Sequence, residues 1–429
     1  MSNTPVYRSR PSGFEIQPAS QAEARKINDF IYLSEGLSNS YLITTPEGRI
    51  VINTGMGFEA PVHKRNFDAI DDGPVRYILL TQGHVDHVGG VDLMRQAGTQ
   101  VIAQANNPAQ QADDARIAAF RASRSAFAFA DAIARAWKYI QEQAGGGISA
   151  QSRPTPDITF DDRYVLELGG LRMELLWTPG GETSDSMIVW LPDHRICFSG
   201  NLFSALFGHF PNLVTVRGDR YREALRFIES LERVLALDPR LLLPGHHGPV
   251  VGKDAIREEL TRLRDAVQYV HDETVRGMNH GKDVHTLMRD VQLPPELEVG
   301  QGYGKVSWSV RAIWENYAGW FHHSSTTELY SVPVKSVYRD LVELAGGPSS
   351  VAQRAQDALS AGRPIEAVYL AEIALDASPA HRPALEVMIA AHEQLERESE
   401  NFWLTQWLRK QLADLRSTLE GAKTKDEKS

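Results

Sequence analysis

Apolar positions change their period along the chain. From Ile31 to Ile52 they come as short runs, Ser40-Tyr41-Leu42-Ile43-Thr44 and Arg49-Ile50-Val51-Ile52, separated by a Pro46-Glu47-Gly48 turn. Short runs rich in β-branched and aromatic residues predict strands, and Asn53 to Gly57 is read as closing their hairpin. Tyr77-Ile78-Leu79-Leu80 predicts a buried strand. Asn107 to Gln143 is alanine-rich and predicts a helix, with Phe120, Phe127, Phe129, Trp137 and Ile140 spread through it and Gly145-Gly146-Gly147 ending it. Packing is the simplest account of those aromatic residues. The alternative is an apolar lid suited to a substrate with an alkyl or aryl tail. A Ser/Pro-rich linker reaches Pro156. Asp157 to Trp177 returns to strand character with a turn at Gly169-Gly170. A second strand pair ends at Phe198-Ser199-Gly200-Asn201, Tyr221 to Leu237 predicts a helix, and Leu241-Leu242-Leu243 a further strand.

Past residue 345 the period becomes helical. Ala352, Ala355 and Leu359, then Ala367, Leu370, Ala371 and Ala374, then Leu385, Met388 and Ile389 recur at helical spacing, punctuated by Gly362 and Pro379. A period of about 34 residues suggests tetratricopeptide-like helix pairs. Trp403, Trp407 and Leu408 give a last apolar helix, and these stripes read as core and dimer contact.

With 429 residues the chain is too long for one ordinary core, so two or three domains are expected. The division read here is an N-terminal arm over 1–30, a catalytic domain over 31–300, a helical domain over 301–419 and a charged, disordered tail over 420–429. A net charge of −10 gives no electrostatic case for nucleic-acid or anionic-membrane binding. The single cysteine, Cys197, lies in an apolar run and reads as a small buried hydrophobe, with no disulfide possible within one chain. No signal core and no run of membrane-spanning length is seen, so a cytoplasmic protein is expected.

The candidate chemistry sits at the end of the predicted buried strand, in Thr81-Gln82-Gly83-His84-Val85-Asp86-His87. Two histidines and a carboxylate within four residues form a compact donor set for a divalent metal. The plainer reading is a polar loop that happens to hold two histidines. Gly83 is expected to allow a tight turn, and Gly89-Gly90 to let a helix pack close.

This stretch resembles the metallo-β-lactamase superfamily motif T-H-x-H-x-D-H, with Gln82 in place of the first His. The resemblance implies an α/β fold, the αββα sandwich, followed here by the all-α helical dimerisation domain. Several stretches resemble the alkylsulfatase branch. Gly181-Glu182-Thr183 is similar to its T-P-G-T-E loop, which supplies a glutamate ligand. Asn212-Leu213-Val214-Thr215-Val216-Arg217-Gly218 is similar to its N-L-Y-T-L-R-G, whose Asn and Arg hold the sulfate. Tyr269 to Thr274, Met278 to Gly281, Tyr303-Gly304 and Val310 to Trp314 follow in the branch's order. The region from about Ala345 to Leu415 resembles its dimerisation domain, and the branch's usual lipid-carrier-like third domain is not expected.

The resemblance implies a first metal site of Gln82, His84 and Glu182, and a second of Asp86, His87 and His246, with His247 behind. Asn201 stands where the superfamily has a bridging carboxylate, and Trp308 where the branch has a His that assists the leaving group. Gln82, Asn201 and Trp308 are therefore departures, read as retooling. Without the bridging charge, one ion instead of two becomes an open alternative. Zn²⁺ is the expected cofactor, with Mn²⁺ or Fe²⁺ as alternatives. A bound Zn²⁺ lowers the pKa of its water from about 16 towards roughly 7 and yields a hydroxide nucleophile. Asp86 would orient that water, and Arg217 would pair with an anionic oxygen. The plainer reading of Arg217 is a surface ion pair. Asn212, Arg217 and Trp308 are the substrate-side candidates. The expected reaction is hydrolysis of an ester, a sulfate ester first, of a hydrophobic alcohol by a homodimer. Alternatives are a carboxylic ester, lactone or thioester hydrolase, a non-haem iron redox enzyme, and a non-catalytic scaffold.

Overall fold

A computed structural model describes residues 4–143 and 149–426. The chain divides into two compact units, Met1–Gly319 and Trp320–Ser429. The division falls later than residue 300 because the helix Val306–Ala318 buries Val306, Val310, Ala312, Ile313 and Trp314 in the core of the first unit.

The first unit holds two sheets. One runs β1 (Arg25–Lys26), β2 (Ile31–Ser34), β3 (Ser40–Thr45), β4 (Gly48–Ile52), β5 (Val75–Leu79), β6 (Gln100–Gln104) and β7 (Ile158–Phe160), side by side in that order. Strands β4 to β7 are parallel neighbours. The other comprises β8 (Arg163–Leu168), β9 (Leu171–Trp177), β10 (Met187–Leu191), β11 (Ile196–Gly200), β12 (Leu241–Pro244) and β13 (Val250–Val251), ordered β13-β12-β11-β10-β9-β8. Side-chain alternation assigns each residue its layer. Tyr41, Ile43, Ile50 and Ile52 face Met187, Val189 and Phe198 between the sheets. Leu42 and Val51 point the other way, towards Phe67 of the helix Ala60–Asp68. Ile188 and Trp190 point outward to Phe227 and Leu231 of the helix Ala224–Leu237 and to Leu260 of the helix Lys253–Asn279. A one-residue slip would exchange core for surface in every strand, so the register is strongly specified. The result is the αββα sandwich expected from the motif.

Local readings differ in detail. The β3–β4 hairpin closes at Thr45–Gly48, and Asn53 to Gly57 leads out of it. The helical stretch is two helices, Asn107–Arg116 and Ala118–Gln143. The glycine run Gly145-Gly146-Gly147 lies outside the described residues. The predicted Tyr221–Leu237 helix begins at Ala224.

In the second unit the helices Pro348–Ser360, Pro364–Ala377 and Arg382–Arg397 bury Ala355, Ala358, Ala367, Ala371 and Ala391 against one another. Alanine at these positions lets the backbones approach closely. The last helix, Phe402–Asp426, runs on past Leu419, where a disordered tail was expected; residues 427–429 lie outside the described residues. Trp403 and Leu408 are buried, whereas Trp407 is exposed.

Two buried residues fix the frame around the metal loop. Asn53, at a positive φ of 56°, follows β4. Its Nδ2 donates to Thr81 Oγ1 (2.9 Å), and its Oδ1 accepts from the Thr81 backbone N–H (2.9 Å). Asn is among the few side chains that tolerate this backbone region. Glu59, fully buried, accepts from the backbone N–H groups of Ala19 (2.7 Å), Leu37 (2.9 Å) and Met56 (3.4 Å). It thereby ties the N-terminal arm and two loops together. The arm lies along the first unit, with Val6 N–H donating to Glu259 and Arg10 donating to the Gly248 carbonyl.

Asn53→Ala loses both hydrogen bonds and strains the backbone, so its stability by denaturant titration is expected to fall by about 2–3 kcal/mol. Asn53→Gly relieves the strain and is expected to lose about 1 kcal/mol less; equal losses would refute the backbone argument. Burial pushes the Glu59 carboxyl up to about 7 from its ordinary 4.5, against the pull of its three backbone donors. The folded protein therefore holds a proton there that the unfolded chain releases, and stability falls as pH rises from 4.5 to about 7. Glu59→Gln removes that contribution. The melting temperature of the native protein, taken relative to the variant, should decline across this window, and parallel curves would exclude the effect.

Candidate active site

The site lies at one rim of the sandwich, where β5, β9, β11 and β12 all end. Cross-sheet hydrogen bonds clasp this rim. The Thr81 carbonyl accepts from Met187 N–H (2.9 Å), and the Gly245 carbonyl accepts from Asn39 N–H (2.7 Å). Asn39 Nδ2 donates to the carbonyls of Pro244 (2.9 Å) and His247 (2.7 Å), and the Tyr41 hydroxyl donates to Pro244 (2.6 Å). Residues of the first sheet thus hold the turn that carries His246 on the second. Gly89 and Gly90 press against Gly57 and Ala60, where any Cβ would stand 2.4 Å from those residues. Gly83 does not adopt a positive φ; it leaves room for Asp185 and Asn107 beside it.

Asp86 and His87, on the short helix Val85–Val88, meet His246 from the turn after β12, each with a donor atom within 4.8 Å of the others. Among the described residues this is the one such cluster of His, Cys, Asp and Glu. Burial holds the His87 imidazole down at about 4 and depresses His246 as well. Burial alone would raise the Asp86 carboxyl, but His87, His246, His84 and Arg217 together bring it below its usual range. Two neutral imidazoles and one carboxylate are donors ready for a divalent cation, so these residues fit one. Asn201 Nδ2 lies 3.1 Å from His87 Nε2, and its Oδ1 is buried with no hydrogen-bond partner among the described residues. His247, at φ 60°, contributes its carbonyl to Asn39.

Gln82, His84 and Glu182 also meet, but among cations. Gln82 Nε2 is 2.9 Å from His84 Nδ1, which is 3.4 Å from Glu182 Oε1. Arg222 Nη1 reaches Glu182 Oε2 at 2.9 Å, and both side chains are over nine-tenths buried. Arg217 Nη2 is 3.8 Å from Glu182 Oε1 and 4.0 Å from Asp219 Oδ2. Arg121 joins Asp219 (2.9 Å) to Asp114 (2.5 Å). Against its own burial, Asp219 is held well below the usual carboxylate range by His84, Arg222 and Arg121. Arg217 is therefore no surface pair.

Two cavities open on this rim, of about 250 and 190 Å³, and they share His84, Asp86 and Arg217. The first continues past Asp114 and Arg121. The second also reaches Glu182 and His246 at its polar end and Ile16, Leu37, Met56, Phe129 and Ile133 at the other. The helix Ala118–Gln143 therefore does more than pack, and the aromatic residues read as packing divide: Phe129 lines the cavity while Phe120 is exposed. Asn212 is buried, and its carbonyl accepts from Arg222 Nη1 (2.7 Å). Neither Asn212 nor Trp308 lines either cavity; Tyr303 does. Asp219, Arg222, Arg121, Asp114 and Glu59 were not legible in the sequence. The alternating charges of Arg217-Gly218-Asp219-Arg220-Tyr221-Arg222 look like a solvated segment until the fold turns Arg217, Asp219 and Arg222 towards one another.

Comparison with known proteins gives this geometry its context. The family model for the metallo-beta-lactamase superfamily matches residues 33–246, and that for alkyl sulfatase dimerisation matches residues 283–418. A linear primary-alkylsulfatase of a Pseudomonas sp. is 28% identical over 89% of this chain and 74% of its own length. The alkyl/aryl-sulfatase BDS1 of Saccharomyces cerevisiae is 25% identical over 87% of this chain. This chain spans 61% of the length of the yeast protein. The solved structure of the stereoselective inverting sec-alkylsulfatase Pisa1 from Pseudomonas sp. superposes with a TM-score of 0.78 at 21% identity, covering 94% of this chain and 66% of that one. With an αββα sandwich, a metal-competent cluster at its rim and both family models matched in sequence order, the chain belongs to the metallo-beta-lactamase superfamily and carries an alkyl sulfatase dimerisation region.

Proposed function

We propose that this chain is a metal-dependent hydrolase that cleaves sulfate esters of hydrophobic alcohols. One observation carries the reading. The Asp86, His87 and His246 cluster and the Arg217 guanidinium open on the same cavity, whose far end is apolar. Asp86, His87 and His246 would hold a divalent cation, Zn²⁺ in the first instance, which supplies Lewis acidity and acidifies a water at neutral pH. Arg217 pairs with sulfate oxygens, its planar fork matching two at once. Ile16, Leu37, Phe129 and Ile133 take the alkyl chain and keep water from the ester. Both alkylsulfatase relatives support the substrate class. Trp308, standing outside the cavity, takes no part in this reading.

Release of inorganic sulfate from a medium-chain alkyl sulfate is the direct test. Activity is expected to vanish on chelation and to return with added Zn²⁺ or Mn²⁺. His87→Ala is expected to abolish turnover, and retained turnover in it would reject the hydrolase reading. Arg217→Ala should lower kcat/KM by roughly 10²- to 10³-fold. The same substitution should cost less on a neutral carboxylic ester; an equal loss on both would deny Arg217 a role in binding sulfate.

A second reading draws on the same donors, because two His and one carboxylate are also the set of non-haem iron oxygenases. Iron in the purified protein together with oxygen uptake would favour it. The second unit exposes Leu344 and Tyr369 (85% and 60%) within the region matching the dimerisation family. We read it as the contact between two copies of the chain, and a monomer in sedimentation at micromolar concentration would contradict that.

A further inference from the structure

The metal-dependent reading raises a question that the charges around Glu182 answer. A second ion beside the first would need Glu182 as its carboxylate ligand. Here Glu182 Oε2 is already paired with Arg222 Nη1 at 2.9 Å, and Arg222 is held in place by the Asn212 carbonyl. Glu182 Oε1 faces His84 and Arg217. A chain of ion pairs links it to three guanidinium groups, of Arg222, Arg217 and Arg121, and three carboxylates take part, of Glu182, Asp219 and Asp114. The group is neutral as a whole. A dication added there would meet guanidinium groups at close range in a desolvated setting, where Glu182, Asp219 and Asp114 are each already paired with an arginine. Asn201, an amide, supplies none from the other side.

We infer that this chain holds one divalent cation, at Asp86, His87 and His246, and that Arg222 and Arg217 provide the positive charge at the neighbouring position. Arg222 neutralises Glu182 from the buried side and lines neither cavity. Arg217 faces the cavity and presents its charge to an anionic substrate group. Glu182 is then a positioning residue for the two arginines and does not ligate metal. This inference rests on the metallo-hydrolase reading, and counting metal separates the two.

The experiment is a calorimetric titration of the metal-stripped full chain with Zn²⁺, with bound zinc counted by elemental analysis after desalting. One equivalent per chain is expected in the native protein, and Asp86→Asn should lose it. Glu182→Gln should keep one equivalent, its affinity changed by less than the roughly 10-fold that loss of even a ligand-orienting group costs. Gln82→His should also stay at one, because Arg222 still holds Glu182. Two equivalents in the native protein overturn the inference and leave the hydrolase reading standing. So does a second equivalent gained by Gln82→His alone, or an equivalent lost in a Glu182→Gln protein whose circular dichroism is native. Should Glu182→Gln fail to fold, the native count and the Gln82→His count decide the matter. No bound zinc in the native protein, and no Mn²⁺ or Fe²⁺ taken up in its place, removes both readings.

Discussion

The candidate site depends on the clasp between the two sheets at one rim. Strand ends in separate sheets have no reason to stay within a few ångströms of one another. Here the Thr81 carbonyl is fastened to Met187, and the turn after β12 is fastened to Asn39 and Tyr41. These are buried backbone carbonyls, which must find partners once water is excluded. The clasp thus satisfies the strand ends and also brings the loop of Asp86 and His87 to the loop of His246. Asn53, bridging to Thr81 from a backbone region that few residues tolerate, sets the height of the metal loop above β5.

A second constraint is the cost of burying charge. Six ionised side chains beside a cavity are tolerable only when each is paired, since an unpaired buried ion costs several kcal/mol. The pairing of Glu182 with Arg222, and of Asp219 and Asp114 with Arg121, meets that demand and leaves Arg217 to face the cavity. This balance distinguishes the two halves of the site. Around His87 and His246 the imidazoles are neutral and Asp86 is the nearby carboxylate, so a cation improves the balance. Around Glu182 the carboxylates are already matched by guanidinium groups.

The apolar end of the second cavity is built from segments that depend on Glu59. Its carboxyl group gathers Ala19, Leu37 and Met56 by their backbone N–H groups, and Leu37 and Met56 line the cavity while Ile16 comes from the same arm. A buried acid is an unusual fastener. It is workable because three backbone donors would otherwise be left unsatisfied in the same place.

The sequence by itself determined the strands, their layers and the metal loop. Alternation in Tyr41-Leu42-Ile43 and Ile50-Val51-Ile52 decides which face each residue takes, and donor residues at strand ends mark where chemistry can occur. The T-x-x-H-x-D-H spacing and the ordered alkylsulfatase-like stretches were enough for the superfamily. Only the tertiary structure decided what Glu182 is paired with, that Arg217 is inward, and that Trp308 stands away from the cavities. It also showed Arg121, Arg222 and Asp219 meeting in one buried group. The physical reason is that side-chain period is a local property, readable along the chain. The partner of a buried charge is chosen by packing between segments about a hundred residues apart, as with Arg121 and Asp219, and no spacing in the sequence records it.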